Sequence, residues 1–478
     1  MRRLGLFASC LPALLLFGVT QCSNASDSPV TGALTAGGPS LPSAGSSGSA
    51  GAANQSALGG AAGAPVAAAG MAGSMAGAAG SPDPLGPTPA TATAKFPFPQ
   101  NRFSSNCHYP AFKNNDVRAA YQWWKTDMVT ADGAGGHLRV KRTPSDSTLN
   151  PSSPDPTSTV SEGIGYGMLI AVYMNDQQLF DELWKYEQQW LSMYGLMDWY
   201  IDAAGSMRVG TGAASDADED MAFALLMADR QWGGQGSLDK NYLDVAKDQI
   251  QKIWDHEVHE GKLIKPGDGW NLPDPWKVVN VSYFAPSYYR AFAAASGNTG
   301  WNDVVSTSYD TIENALNDTN KNTSNGLVPA WSTSDGAPTN AAFANAPTNY
   351  QYDSCRTPFR VGIDYCINGE PRAKSYVAKT SQFFAGIGVA QVVDGYNLDG
   401  TPQPAHTPGQ SAAFIGPATV GAMSDPTFST LLEQGYAAVA TRNLLVGGEY
   451  YDGSWTMLSL LMLSGNFLDY TLEQPLSP

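Results

Sequence analysis

The dominant pattern along the chain is a helical spacing of apolar residues, and few segments alternate in the way that strands do. Twelve stretches have this spacing. The sequence therefore predicts an all-α protein whose helices begin near Asn115, Ser161, Gln177, Ser215, Lys240, Phe284, Trp301, Cys355, Ala373, Gln410, Asp425 and Tyr450.

These predicted helices fall into two classes that alternate along the chain. The odd-numbered helices are amphipathic, as in DELWKYEQQWL and YLDVAKDQIQKIW, so each keeps one polar face. The even-numbered helices, such as SEGIGYGMLIAVYM and WTMLSLLMLSG, are rich in small residues and apolar on most sides. An arrangement of six inner helices surrounded by six outer ones, with successive helices antiparallel, suits both classes. It buries the apolar helices and leaves the polar face of each amphipathic helix exposed. The pattern predicts an (α/α)6 barrel.

The N-terminal part of the chain differs in composition from the rest. Residues 1–25 combine two early arginines with an apolar stretch too short to span a bilayer, which is typical of a signal peptide. Two processing sites are open: cleavage after Ala25, or lipoprotein processing that leaves a lipid on Cys22. Residues 26–95 consist mainly of Gly, Ala, Ser, Pro and Thr and are predicted to be a flexible linker. Residues 96–478 then form the folded domain, outside the cell or on its outer surface.

The charge and the cysteines narrow the classes of function. A formal charge of −16 argues against nucleic acid as a partner. The folded domain has three cysteines, Cys107, Cys355 and Cys366. In an oxidising compartment a disulfide is expected, and Cys355 with Cys366 is the most local pairing, although the sequence does not determine connectivity. One thiol stays unpaired, and we interpret it as buried because no histidine motif accompanies it.

Acidic residues lie at the N-terminal ends of the inner helices. Glu162 opens the second helix, Asp216 and Asp218 open the fourth, and Asp353 precedes the eighth. In an alternating barrel all inner helices run in the same direction, so these ends meet at one face. The helix dipole alone favours acids at such positions. It does not explain the glycines and aromatic residues beside them.

Three glycines, Gly163, Gly165 and Gly167, occupy the start of the second helix. Each weakens the helix by about 1 kcal/mol relative to alanine. A helix tolerates this where something approaches its backbone closely. Either a neighbouring helix or a ligand would meet that requirement.

Aromatic residues accompany the acids on the same face of the predicted barrel. Taken singly, each one is better explained by core packing than by a ligand. Together they suit a glycan, since sugar rings stack on aromatic faces. The candidates for substrate binding are five aromatic residues and two charged ones: Tyr166, Trp199, Trp270, Tyr289, Tyr352, Asp218 and Arg356.

Two of the acids are suited to breaking a glycosidic bond. This reaction needs a proton for the leaving oxygen and, with inversion, a second carboxylate that activates water. Glu162 begins an apolar helix, so burial can raise its pKa and keep it protonated. Asp353 has Arg356 one turn ahead of it and is expected to stay ionised.

Four ordered blocks, SEGIGYGM, GLMDWYIDAAG, ASDADEDMAFALLMADRQWG and YDSCRTPFRVGIDY, resemble glycoside hydrolase family 8 across residues 96–478. This resemblance implies an (α/α)6 barrel and an inverting hydrolase. Members are mostly endo-β-1,4-glucanases, with xylanases and chitosanases alongside. Of these blocks, ASDADEDMAFALLMADRQWG is nearest to the version found in the glucanases. We therefore expect a monomeric endoglucanase that acts on a polysaccharide.

The resemblance also implies roles for individual residues. Glu162 matches the general acid and Asp353 the base, with Arg356 as its neighbour. Asp216 matches the aspartate that binds the distorted sugar, Asp218 lies close behind it, and Trp199 matches an aromatic platform. The sequence departs from the family pattern in its more acidic DADED segment and in a long connection before Asp353, which affects the substrate more than the reaction.

Other interpretations are weaker. DADED places acids as a calcium loop would, but Met221 follows and no glutamate stands at the twelfth position. His256 and His259 do not have the spacing of a zinc protease motif. We predict no metal and no cofactor. The alternatives to an endoglucanase are a xylanase or chitosanase on the same scaffold, or a non-catalytic barrel that captures glycans.

Overall fold

The computed structural model describes residues 94–143, 157–270, 278–343, 346–403, 410–441 and 449–473. The predicted signal peptide and nearly all of the predicted linker lie outside these residues. The described part contains twelve α-helices: α1 (Asn114–Met128), α2 (Ser161–Tyr173), α3 (Gln177–Glu187), α4 (Ser215–Gln231), α5 (Tyr242–His256), α6 (Pro286–Ser296), α7 (Trp301–Ala315), α8 (Thr357–Asn368), α9 (Pro371–Ile387), α10 (Ala412–Ala422), α11 (Ser429–Thr441) and α12 (Tyr450–Leu463).

The helix starts agree closely with the sequence pattern. The largest difference is at α11, which was expected near Asp425 and begins at Ser429. Its cause is local. The Asp425 side chain accepts a hydrogen bond from Thr427 N and caps a 3-10 turn over Pro426–Phe428, so the α-helix starts after that turn.

Within the described ranges, seven short strands lie in the connections between helices, all paired antiparallel: β1 (Val129–Thr130), β2 (Arg139–Val140), β3 (Thr159–Val160), β4 (Tyr200–Ile201), β5 (Arg208–Gly210), β6 (Val258–His259) and β7 (Leu263–Ile264). Strands β3, β4 and β5 form one sheet with β4 in the middle. Because β3 comes immediately before α2 and the hairpin β4–β5 precedes α4, this sheet connects the loops at the start of two inner helices.

The even-numbered helices form a closed inner ring. Each contacts the even-numbered helix before and after it, and α12 contacts α2. The odd-numbered helices pack outside this ring, as α5 does against α4 and α6. The predicted (α/α)6 barrel is confirmed.

Burial explains the two classes of helix. Every residue of α10 is buried, whereas α5 buries a stripe that includes Val245, Gln249 and Ile253 at intervals of four. Apolar inner helices are stable here because outer helices cover them. No helix within the described ranges is long and apolar enough to cross a membrane.

The glycines of α2 serve helix packing. A Cβ at Gly165 would lie 3.0 Å from the Ala217 carbonyl oxygen of α4 and 3.1 Å from Asp220 Cβ. Likewise, a Cβ at Gly163 would come 3.2 Å from the Tyr450 ring. Of the two explanations that the sequence left open, close approach of neighbouring elements is the one observed.

The disulfide joins Cys107 to Cys366, and Cys355 is the free buried thiol. The sequence left the pairing open, and the most local pair, Cys355 with Cys366, is not the one formed. Cys355 lies just before α8 and Cys366 near its end, so about 15 Å of helix separates them. That spacing is too great for a disulfide. The prediction of one unpaired, buried thiol is confirmed.

Candidate active site

The N-terminal ends of four inner helices meet around one arginine. Arg356, which is 2% exposed, directly precedes α8. Its Nη1 donates to Glu162 Oε1 at the start of α2 and, at 2.6 Å, to Asp216 Oδ2 at the start of α4. Its Nε donates to Ser282 Oγ at 2.9 Å, just ahead of α6. One guanidinium therefore holds together the carboxylates of two helices.

Glu162 is bound on both carboxyl oxygens. Tyr450 Oη, at the start of α12, donates to Oε2 at 2.6 Å, and Tyr166 Oη donates to Oε1 at 2.8 Å. Burial raises the pKa of Glu162 to about 7, and the nearby Asp216 charge adds to this effect, while Arg356 and the two tyrosines oppose it. Desolvation is the largest influence. Near neutral pH, Glu162 is thus able to carry a proton and release it.

Asp353 lies on the other side of the same guanidinium. Its Oδ1 is 3.6 Å from Arg356 Nη2, beyond direct hydrogen-bonding distance, and Gln351 Nε2 donates to Oδ2 at 3.0 Å. Arg356 lowers the pKa of Asp353 as the sequence predicted, but burial outweighs it and the pKa is raised from its usual range. The expectation that Arg356 alone would keep Asp353 ionised is therefore corrected: burial dominates because this arginine hydrogen-bonds to Glu162 and Asp216 instead.

A second buried ion pair lies one helical turn below the first. Arg360 follows Arg356 by four residues, and Asp220 accepts from Arg360 Nη1 at 2.5 Å and from Nη2 at 2.9 Å. The guanidinium of Arg356 lies over the Tyr283 ring at 4.9 Å and that of Arg360 over Tyr288 at 5.5 Å. Sequence reasoning missed Arg360. The sequence did contain a signal for it, because Arg356 and Arg360 are four residues apart and so are Asp216 and Asp220.

Asp218 does not belong to this cluster, although the sequence placed it in the substrate site. It follows Asp216 by two residues, which turns it by about 200° around the helix. Gln249 Nε2 of α5 donates to Asp218 Oδ1 at 3.2 Å, and the side chain is fully buried between α4 and α5. Burial and then the neighbouring Glu257 raise its pKa. Asp218 therefore faces the outer helices.

Tyr289 also points away from the mouth of the barrel. Its Oη donates to Glu219 Oε1 at 2.9 Å, and its ring stacks on Trp301 of α7 with centroids 5.6 Å apart. The adjacent Tyr288 faces the barrel interior, because neighbouring helical residues differ by about 100° in direction. The structure does not bring Tyr289 to the predicted substrate site.

Two of the predicted aromatic platforms line a cavity beside Asp216. Trp199, Trp270 and Tyr283 surround it, together with the backbone just before α4. A Cβ at Gly210 of β5 would lie 2.3 Å from the Trp199 ring, so only glycine lets the indole rest on this strand. Trp199 is held from one side while remaining partly exposed.

Tyr352 and Tyr166 both lie near the charged cluster but differ in exposure. Tyr352 directly precedes Asp353, is partly exposed, and donates through Oη to Asp394 Oδ2 at 3.1 Å. Tyr166 is fully buried beneath Glu162. Tyr352 is therefore placed to reach a bound chain, whereas Tyr166 acts on Glu162 from within the barrel.

Sequence reasoning gave no individual role to three residues that bind this cluster: Tyr450, Ser282 and Gln351. Tyr450 begins the last inner helix, so the rule that inner helix starts converge was the signal for it. Ser282 and Gln351 lie in connections without a helical pattern. Nothing local to the sequence marks them as partners of Arg356 and Asp353.

The chemistry available at this mouth is acid–base catalysis with two carboxyl groups. One carboxyl group has a pKa near neutrality and the other accepts a hydrogen bond from Gln351, with Arg356 between them. This combination suits protonation of a leaving group and activation of a water.

Comparison with known proteins agrees with this geometry. The family model for glycosyl hydrolases family 8 matches residues 96–465. Endoglucanase A of Acetivibrio thermocellus is 37% identical over 355 residues, which cover 73% of this chain and 69% of that protein. Endoglucanase 2 of Ruminiclostridium josui is 36% identical over 387 residues, covering 79% of this chain and 78% of that protein.

A solved structure gives the same result. The apo structure of a β-1,3-1,4-glucanase from Paenibacillus sp. X4 is 30% identical and superimposes with a TM-score of 0.69, covering 78% of this chain and 99% of the other. The family match spans most of the folded part of the chain, including the helix starts that carry Glu162, Asp216 and Asp353. The chain belongs to glycosyl hydrolases family 8.

Proposed function

We propose that this protein is an endo-acting glucanase that hydrolyses β-1,4 linkages of a glucan with inversion at the anomeric carbon. The observation that carries the proposal is the placement of Glu162 and Asp353 on either side of Arg356, with the pKa of Glu162 near 7. An acid that is protonated near neutrality beside a second carboxylate matches the needs of glycosidic hydrolysis.

In the proposed mechanism, Glu162 donates its proton to the glycosidic oxygen as that bond breaks. Asp353 accepts a proton from the water that attacks the opposite face of the sugar. Asp216, fixed by Arg356 at 2.6 Å, binds the distorted sugar next to the cleaved bond. After the reaction Glu162 is ionised and Asp353 protonated, and exchange with solvent restores both.

Glucan is the preferred substrate because the relatives named above are an endoglucanase A, an endoglucanase 2 and a β-1,3-1,4-glucanase. Xylan ranks second and chitosan third, since both fit the same barrel chemistry. A non-catalytic barrel that captures glycans is the alternative outside the enzyme class. Retention of Glu162, Asp216 and Asp353 around one arginine favours a hydrolase.

Product analysis by NMR tests this proposal. Soluble carboxymethyl cellulose, xylan and chitosan would be digested in parallel while the anomeric proton of each new reducing end is followed. We expect the glucan to be cleaved and the α-anomer to appear before mutarotation. Initial formation of the β-anomer would contradict inversion, and binding without cleavage would favour the capture barrel.

The pH dependence follows from the need for a protonated Glu162. Because its pKa is raised to about 7, the protonated fraction falls as pH rises through that value, and activity is expected to fall with it. Tyr450→Phe removes a donor that favours the ionised form, so it should move the alkaline limb to higher pH. Profiles of kcat for the wild type and variant measure this. A limb that stays in place, or moves to lower pH, would contradict the role of Glu162.

Trp199→Ala is expected to weaken substrate binding more than the chemical step. Loss of the platform should raise KM for soluble glucan about tenfold, equivalent to ~1.4 kcal/mol, and change kcat by less. Trp254→Ala is a matched control, because Trp254 is also partly buried but packs against Trp301 on the outer layer. Equal effects of the two substitutions on KM would argue against a platform at Trp199.

We also propose export, with the mature protein outside the cell or held on its outer surface by a lipid on Cys22. The N-terminal pattern of residues 1–25 supports export, and the Cys107–Cys366 disulfide fits an oxidising compartment. Fractionation of a bacterial host that expresses the full chain, with Cys22→Ala beside it, tests the anchor. Membrane association that is lost in this variant is the expected result; unchanged release of both would favour cleavage after Ala25.

A further inference from the structure

The long connection between α7 and α8 packs around a buried tryptophan. Trp331 is 1% exposed and forms a small cluster with Val278, Ala330 and Ala346, separate from the main core. Its ring stacks on Trp270 with centroids 5.9 Å apart and an interplanar angle of 11°. The described residues of this connection, which departs from the family pattern, thus pack against an aromatic residue that lines the site.

The backbone of Trp331 is fixed from two directions. Ser332 exchanges both backbone hydrogen bonds with Val279, at 2.7 and 3.1 Å, in the segment that leads to Tyr283. Ala330 N donates to Asn349 O at 2.9 Å, in the segment that leads to Asp353. The position of the indole is therefore set relative to both flanks of the active site.

The indole N–H is a buried donor beside the proposed base. Trp331 Nε1 has no direct hydrogen-bond partner in the described part of the chain, which is unusual for a buried polar atom. Its influence on Asp353 is to favour the ionised form of that carboxyl group. The ring edge also meets Tyr283, which lies against Arg356.

We propose that Trp331 is a positioning residue for Asp353, whose carboxylate it orients through the indole N–H while the water is activated. Gln351 Nε2 donates to Oδ2 of the same carboxyl group, so the indole would be the second neutral donor to the base. Neutral donors suit this task, because they orient the carboxylate without competing with it for the proton. This inference rests on the proposed function, in which Asp353 is the base.

The substitution Trp331→Phe keeps an aromatic ring and removes the N–H. Without that donor the ionised form of Asp353 is less favoured, so the acidic limb of the kcat profile should rise by about one pH unit. The other charged groups that face Asp353 are Arg356 and Asp216, and both are unchanged in this variant. We expect kcat at the optimum to fall about tenfold and KM to change less than twofold.

A matched control is Trp301→Phe. Trp301 is also fully buried with an unpartnered Nε1, but it packs on Tyr289 in the outer layer. The Trp301→Phe variant should therefore have the acidic limb of its kcat profile at the same pH as the wild type. An acidic limb that does not move in Trp331→Phe, or that moves equally in the control, would overturn the inference.

A second measurement needs no substitution at Trp331. In protein labelled with ¹⁵N-tryptophan, the Trp331 indole resonance should shift with pH as Asp353 titrates, and Asp353→Asn should abolish that shift. A resonance that is insensitive to the state of Asp353 would also overturn the inference. If instead the wild type cleaves no glucan while this titration is present, the proposed substrate fails and the contact between the two residues stands.

Discussion

Glu162→Gln should lower kcat on polymeric glucan about a thousandfold, within the ~10²–10⁴ range that general acid–base catalysis contributes. Glutamine keeps the size of the side chain, and its one carbonyl oxygen can still accept from Arg356 and Tyr166. Its NH2 group then faces the Tyr450 hydroxyl, which can turn to accept, so the barrel mouth should stay folded. What it lacks is a proton to release to the leaving oxygen. Binding of cello-oligosaccharides, measured by calorimetry, should change little.

The leaving group separates loss of the acid from general damage to the site. A dinitrophenyl β-cellooligosaccharide needs little protonation of its leaving oxygen, so Glu162→Gln should hydrolyse it far better than it hydrolyses the polymer. The control is Glu187→Gln, because Glu187 is buried away from the mouth with its pKa raised to about 8 and so already carries a proton at neutral pH. Equal losses on both substrates would show that Glu162 is not the acid.

Asp353→Asn is the second substitution with a large expected effect. It removes the group that accepts a proton from water, and kcat should fall by about a thousandfold for every leaving group. This uniform loss distinguishes the base from the acid. Gln351 can still hydrogen-bond to the amide oxygen, so the local contact at 3.0 Å need not be lost.

Azide provides the sharper test of this residue. It attacks without losing a proton, so it should restore turnover of the dinitrophenyl substrate in Asp353→Asn and give a glycosyl azide of α configuration. Glu162→Gln should show no comparable rescue on the polymer, where protonation of the leaving oxygen is the missing step. A β-azide product, or activity that survives the substitution without azide, would contradict the assignment of Asp353 as base.

The arginine pairs explain why so many charges can be buried at the barrel mouth. Asp216 and Asp220 lie four residues apart on α4, and Arg356 and Arg360 have the same spacing at α8. Each buried carboxylate thereby meets a guanidinium, which offsets part of the cost of removing both from water. Burial raises the pKa of Glu162, and Arg356, which Glu162 shares with Asp216, offsets only part of that rise.

Much of the fold followed from local information. The twelve helices, their alternation between amphipathic and apolar, and the closed inner ring were all confirmed, because a 3.6-residue pattern directly reports which face of a helix is buried. The prediction that the carboxylates at the inner-helix N-termini meet at one mouth was also confirmed. It follows from chain direction, because the inner helices are parallel and all of them start at the same end of the barrel.

The direction in which each side chain leaves its helix could have been worked out from the sequence, but it was not used to choose the site residues. Asp218 and Tyr289 were assigned to the mouth because they neighbour residues that do lie there. A helix turns by about 100° per residue, so Asp216 and Asp218 point to different sides, as do Tyr288 and Tyr289. The acidity of a segment is therefore a poor guide to which of its acids reach a site.

Other features were decided only by the tertiary structure. The pairing of Cys107 with Cys366 joins residues 259 apart, and Arg356 selects Glu162 and Asp216 from helices far away in sequence. Trp331 reaches the base from a connection with no periodic pattern. The helices, the barrel and the face on which the acids collect follow from the amino-acid sequence alone, since these depend on local periodicity and chain direction. Which side chains touch, and hence which pKa values shift, depends on packing between distant segments, and local patterns carry no record of that.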